Sequence, residues 1–333
     1  MDAKLLKLIT VVILFLLFNL QYIMHLDFAS AQSITSNQNF NTTSVCNCVV
    51  LRLDDVRDDW LTGVQLDILN QFIEKNQSLS LGIIMHKINN NTELFSKVDE
   101  GRKDGLFELD VHGWDHVDFS KLSRTQQISA LEKSKNTMYD LFGTKPDIFI
   151  APYNAFDNDT LYALNSTGFR IFSSSITSDK DVFTGSNNEN QNTGYQLYHM
   201  PEMFSFMGEK NGVWFDVPAQ KILDNIDADI HKYGYSVIVL HPQNFAKFQN
   251  GTYVNVVDPY EMDKLNYLIY SIEMKHIHIT TFSNVLHQID PQETMQSVPE
   301  FDVNSIYALM LSSVVTIFLP KFLVEKIREK NRQ

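Results

Sequence analysis

The stretch LDVHGWDHVDF, residues 109–119, sets His112 and His116 four positions apart around Gly113 and Trp114, with acidic residues on both sides. Its first half closes an apolar run, LFELDV at 106–111, with the length and composition of a buried strand. Gly113 lets the chain bend sharply where that strand gives way to a turn, because glycine has no Cβ to oppose the change of direction. Two imidazoles on one turn can reach a single ion. Taken alone, the same spacing also suits two surface or packing histidines.

Six further runs resemble the first: VVLRL (49–53), LGIIM (81–85), DIFI (147–150), FRIFS (169–173), YSVIVL (235–240) and IHITTF (277–282). Each is brief and mostly apolar, as strands buried on both faces are. Helical patterns lie between them. Residues 62–77 place Leu66, Leu69, Phe72 and Ile73 on one face, and 123–142 open on a Ser cap and close at Gly143. Pro218 opens a third helix at its favoured first-turn position, running to Tyr233 before Gly234, and Asp258-Pro259 opens a fourth that carries Met262, Leu265, Leu268, Ile269 and Ile272 inward. About seven strand-helix units make an α/β protein, either a barrel or a doubly wound sheet. The polar, turn-rich region 174–200 reads as an inserted loop.

With 333 residues and 44% hydrophobic content, the chain can bury one large core or two modest ones. A net charge of -13, with no basic stripe, repels phosphate backbones, so nucleic acid is not an expected partner. The only cysteines, Cys46 and Cys48, make neither a disulfide framework nor a Cys-rich metal site. With one residue between them, they are expected as two small unpaired residues at the start of a strand.

Both ends bear on location. Lys4 and Lys7 precede the apolar LITVVILFLLFNL, and Ala29 to Gln32 supply a small-x-small cleavage pattern, so residues 1–31 read as a signal peptide and 32–48 as an exported linker. The main domain is expected over 49–290, with a linker at 291–302. Residues 303–320 are apolar and precede a basic tail at 321–333, an order that suits a C-terminal transmembrane helix with the domain outside. An amphipathic terminal helix is the rival reading. Six N-x-S/T sequons, beginning at Asn41, Asn76, Asn90, Asn158, Asn165 and Asn250, suit a glycosylated, translocated chain.

In either α/β architecture ligands bind where strands end. Asp54 and Asp55 follow the first run, His112 and His116 the third, Ala151, Pro152 and Tyr153 the fourth, and His241 and Pro242 the sixth. One Asp with two His suits a divalent zinc or cobalt ion and leaves a coordination position open. Adjacent aspartates on a strand face opposite sides, so the pair divides the work: one binds metal and the other accepts a proton.

In the order RLDDV, HGWDH, APYN, VLHP, these residues resemble the motif series of the polysaccharide deacetylases with a NodB-type domain. The resemblance spans residues 49–290 and implies a distorted (β/α) barrel with about seven parallel strands. It also implies a metal-dependent hydrolase of non-peptide C–N bonds that deacetylates N-acetyl amino sugars of a carbohydrate polymer. It makes Asp54 the general base, Asp55, His112 and His116 the metal ligands and His241 the general acid. Pro152 and Tyr153 line the groove, with Trp114 and Arg52 counted among the residues that face substrate. The family's first motif usually opens Thr-Phe and ends in Gly, where Arg52, Leu53 and Val56 stand here. Its third-motif Arg, which braces the catalytic Asp, is absent, as is the Asp-Trp motif that partners it; GVWFDV (212–217) carries Trp214 and Asp216 in the opposite order. The loss fits either a substitute brace, for which Arg52 is the candidate, or lost activity, which would leave a carbohydrate-binding surface protein; a small amide is a further alternative substrate.

Overall fold

The computed structural model describes residues 46–90, 92–175, 197–210 and 213–289. The expected signal peptide, both linkers beyond these residues, the C-terminal span and tail, and most of the inserted loop lie outside them. No helix among the described residues is long and apolar enough to cross a membrane.

Strands β1 (Cys48–Val56), β2 (Leu79–Ile83), β3 (Phe107–Val111), β4 (Ile148–Ile150) and β5 (Ile171–Ser173) alternate with helices α1 (Thr62–Glu74), α2 (Glu93–Lys103), α3 (Arg124–Phe142) and α4 (Asn158–Thr167). Beyond the insertion come β6 (Tyr198–His199), β7 (Phe204–Ser205) and the hairpin β8 (Met207–Lys210) and β9 (Val213–Asp216). Helix α5 (Ala219–Tyr233), β10 (Tyr235–Leu240), the hairpin β11 (Ala246–Gln249) and β12 (Thr252–Val257), α6 (Pro259–Met274), β13 (His278–Thr280) and α7 (Phe282–Ile289) complete the order.

All seven expected strands are present, in one parallel sheet ordered β6-β5-β4-β3-β2-β1-β10-β7, with β13 paired to the start of β1. The sheet curls into a half-barrel with helices on its outside. Its two edges are stitched by one short segment, because β6 pairs with β5 while β7, only four residues on, pairs with β10. Between them Met200 and Glu202 donate backbone N–H groups to Phe172 and Ser174, and Met203 donates to Val237.

Strand alternation explains the layers. Val49, Leu51 and Leu53 of β1 face outward into a cluster with Ile68, Leu69 and Phe72 of α1 and Ile222 and Ile226 of α5. Cys48 and Val50 face inward with Ile148, Ile150, Ile171, Tyr235 and Val237, where Phe282, Val285 and Leu286 of α7 plug the barrel. Each fully buried Leu, Ile or Phe contributes about 1.5–3 kcal/mol. Farther along, the same inward positions turn polar: Arg52, Asp54, Asp110, His112 and Ser173 are all buried. From β3, Glu108 reaches to the start of α7, accepting from the backbone N–H groups of Phe282 (2.8 Å) and Ser283 (3.2 Å).

Several details differ from expectation. Cys46 and Cys48 are bonded to each other, not unpaired. The left-handed Asn47 between them, at φ 47°, folds the chain so that their Cα atoms lie 5.2 Å apart, closer than alternate residues of an extended strand. Helix α1 buries Val64, Gln65, Ile68, Leu69 and Phe72, leaving Leu66 and Ile73 at the edge of its buried face. Pro218 caps α5 from outside instead of occupying its first turn. Helices α2, α4 and α7 and the hairpins were not anticipated. Helix α3 follows expectation, with a Ser123–Gln126 capping box and Gly143 left-handed at φ 69°.

Candidate metal centre and catalytic site

The site is assembled at the carboxyl ends of β1, β3, β4 and β10. At the end of β1 the register with β2 shifts between Leu53 and Val56, and Asp55 adopts a left-handed backbone at φ 60°. This bulge resolves the problem of two adjacent aspartates. Asp54 keeps its inward strand position, while Asp55 is re-aimed toward the turn after β3. Gly82 on β2 leaves room for Asp54, because a Cβ there would lie 3.0 Å from Asp54 Oδ1.

After β3, Gly113 at φ 77° and His116 at φ 52° form a turn outside any helix. A Cβ on Gly113 would also meet the Pro152 ring at 3.2 Å, so glycine is required both by the backbone and by space. The buried His112 is bonded through Nδ1 to the carbonyl of Ile150 at 3.0 Å, which turns Nε2 to the interior. His112 Nε2 and His116 Nε2 lie 3.6 and 3.1 Å from Asp55 Oδ1, and one ligand atom from each of the three residues falls within 4.8 Å of the others. Among the described residues, the buried Asp55 Oδ1 has no hydrogen-bond partner. Two imidazole nitrogens and an orphaned carboxylate oxygen converging on one point are a donor set that fits a divalent ion of the zinc type.

The electrostatics agree. Burial pushes the Asp55 carboxyl up, but the neighbouring imidazole of His112, together with those of His241 and His116, holds it well below the usual range. Burial lowers His112, yet the charge of Asp54, the neighbouring Asp55 carboxylate and the bond to the Ile150 carbonyl raise it overall. His116 is pushed down to about 4 by burial and by His112.

His241, at the end of β10, donates its backbone N–H to Asn244 Oδ1 and packs its ring 5.6 Å from that of Trp214. Its buried Nδ1 has no hydrogen-bond partner among the described residues, and the ring acts electrostatically on both Asp55 and Glu202. Trp214 therefore reaches the site from the β8–β9 hairpin, while Asp216 turns away to pair with Lys264. Pro152 is buried. Tyr153, left-handed at φ 58° and 67% exposed, sets its ring 4.6 Å from that of His116.

Two expected substrate contacts are placed differently. The faces of Trp114 are met by Lys133 Nζ at 3.8 Å and by the His86 ring at 5.7 Å. Arg52 is 1% exposed, so it does not face substrate. Instead its Nε and Nη2 donate to Asp54 Oδ1 and Oδ2 at 2.8 and 2.6 Å, and its Nη1 donates to Ser173 Oγ at 2.8 Å. It braces Asp54, the first of the two aspartates. Glu202, which sequence reading did not single out, joins this group from the stitching segment.

Residues 43–172 match the family described as polysaccharide deacetylase. Among solved structures, a putative polysaccharide deacetylase from Mycobacterium smegmatis is similar at 14% identity and TM-score 0.55, covering 77% of this chain and 94% of its own. The chitin deacetylase of Colletotrichum lindemuthianum is similar at 17% identity and TM-score 0.47, covering 74% and 89%. A family 4 acetyl xylan esterase from Clostridium thermocellum, solved with a cobalt ion, is similar at 15% identity and TM-score 0.46, covering 76% and 93%. No curated protein sequence matches.

Proposed function

Because residues 43–172 of this chain match the polysaccharide deacetylase family, we propose that it is a metal-dependent hydrolase that removes N-acetyl groups from amino sugars of a carbohydrate polymer. The observation that carries the reading is the convergence of Asp55, His112 and His116, with Asp54 and His241 acting electrostatically on the same cluster. A divalent ion at these ligands, zinc or cobalt, supplies Lewis acidity toward an amide carbonyl and a water molecule.

The chain's own residues perform the rest. Asp54 accepts a proton from the attacking water as the water oxygen bonds to the acetamide carbon. Its two oxygens already accept from Arg52, and a carboxylate keeps further lone pairs for this role. The backbone N–H at Tyr153 serves the developing oxyanion. His241 donates a proton to the sugar nitrogen as the C–N bond breaks, leaving acetate and a free amine. The exposed ring of Tyr153 and the Trp214 indole offer apolar faces on which sugar rings stack. Export is part of the proposal and rests on the N-terminal sequence; the Cys46–Cys48 bond suits an oxidising compartment.

The test joins metal analysis to acetate release from N-acetylglucosamine oligomers, for wild type, Asp54→Asn and His112→Ala. The expected result is stoichiometric metal in wild type and in Asp54→Asn, metal loss in His112→Ala, and no acetate from either variant. Metal binding by wild type without acetate from any amino-sugar polymer would reject the polymer reading. Wild type without metal would reject the centre.

A further inference from the structure

We propose that Glu202 is a positioning residue for the general base, acting through Arg52, and that the segment closing the barrel thereby sets the orientation of Asp54. The inference deepens the proposed deacetylase reading and rests on it for the role of Asp54.

The guanidinium of Arg52 is buried between two carboxylates. Its side-on fork holds both oxygens of Asp54, and Nη2 also donates to Glu202 Oε2 at 3.0 Å. Glu202 is held in turn, because its Oε1 accepts from Asn154 Nδ2 at 3.0 Å and its backbone N–H donates to the carbonyl of Ser174. Ser173, which receives Nη1, donates onward to the carbonyl of Met200 in the same segment, at 2.6 Å. Each nitrogen of the fork is therefore assigned, and two of its contacts trace back to residues 200–202. A buried cation beside one carboxylate, with nothing on its other edge, could swing its fork out of plane. Glu202 removes that freedom and shares the buried charge. Asn154 belongs to the APYN stretch, so the network also ties the base to the turn carrying Tyr153.

The experiment compares Glu202→Ala, Glu202→Gln, Arg52→Lys and wild type by crystal structure, metal stoichiometry and steady-state acetate release. In Glu202→Ala the Arg52 fork is expected to leave at least one Asp54 oxygen, with metal content unchanged, kcat lowered at least about tenfold and KM within about twofold. Glu202→Gln keeps an acceptor oxygen at the same place and is expected to recover part of kcat. Arg52→Lys cannot span two oxygens from a single ammonium and is expected to lose kcat without recovery. A Glu202→Ala structure that retains both Arg52–Asp54 bonds would overturn the proposal, whether or not wild type is active. A wild type that releases no acetate, with the fork displaced in Glu202→Ala, would overturn the deacetylase reading and leave the positioning role standing.

Discussion

His112 gives its Nδ1 to the carbonyl of Ile150 at 3.0 Å, and that single bond decides which nitrogen the ligand cluster receives. An imidazole whose Nδ1–H is engaged by a carbonyl presents the Nε2 lone pair, here toward Asp55 and His116. His112→Ala is therefore expected to weaken metal binding by more than the roughly 10–100-fold effect of losing an outer partner. Titration with zinc in competition with a chelator reads this out. An unchanged affinity would place the ion elsewhere.

Metal binding should also depend on pH with a definite sign. His112 is raised above the ordinary 6.5 of an imidazole, whereas His116 is pushed down to about 4. As pH falls through the His112 value, that ring takes up a proton the ion must displace, while His116 stays neutral. Affinity is expected to drop about tenfold per pH unit below this point, with about one proton released per ion. Calorimetry near pH 6, in buffers of different ionisation enthalpy, counts that proton.

Gly82 adjoins Asp54 Oδ1 and the Ile150 side chain, at 3.0 and 3.2 Å from where a Cβ would lie. Gly82→Ala is expected to cost about 1–3 kcal/mol of stability through overpacking and to lower kcat by displacing Asp54, with metal content retained. Thermal melting and acetate release measure the two effects separately.

Asp110 is buried, and among the described residues neither carboxylate oxygen has a hydrogen-bond partner. Burial first, then the charges of Glu108, Asp147 and Asp54, raises its pKa well above 3.8. The folded state thus holds a proton that the unfolded state releases, so this group's contribution to stability is fully present below about pH 3.8 and is lost as pH rises through the folded value. Asp110→Asn should melt about 2 °C or more above wild type at pH 8, with the difference shrinking toward pH 4. A constant difference across pH would show that Asp110 is not the group responsible.

Helix α1 has no cap of its own, since Leu61 is left-handed and offers no side-chain acceptor. Asn255 from β12 supplies one, its Oδ1 accepting from the N–H groups of Gly63 and Val64 at 2.8 and 3.2 Å. Asn255→Ala is expected to cost about 1 kcal/mol, measured by denaturant unfolding.

Seven of the nine strands of the sheet and the ligand cluster were legible because their signals are local: brief β-branched runs, and acids and imidazoles at the ends of those runs. Helices α2 and α4 escaped because ELFSKVDEGRK and NDTLYALNST are short and bury only three residues each. The bulge at Asp55 escaped because a non-glycine residue with positive φ leaves no mark in composition. Arg52 was readable as a brace candidate but not as a buried residue, because its inward position follows from alternation along β1 and from what the opposite wall offers. Glu202 had no signal at all. Its meaning comes from lying where the two sheet edges meet, 148 positions after the aspartate it serves.

Cys46, before β1, and Ile289, at the end of α7, belong to the same cluster that plugs the barrel at the amino ends of its strands. The triad stands at their carboxyl ends. The first and last described residues of the domain therefore both lie on its blind side, a full strand length from the mouth that holds the triad.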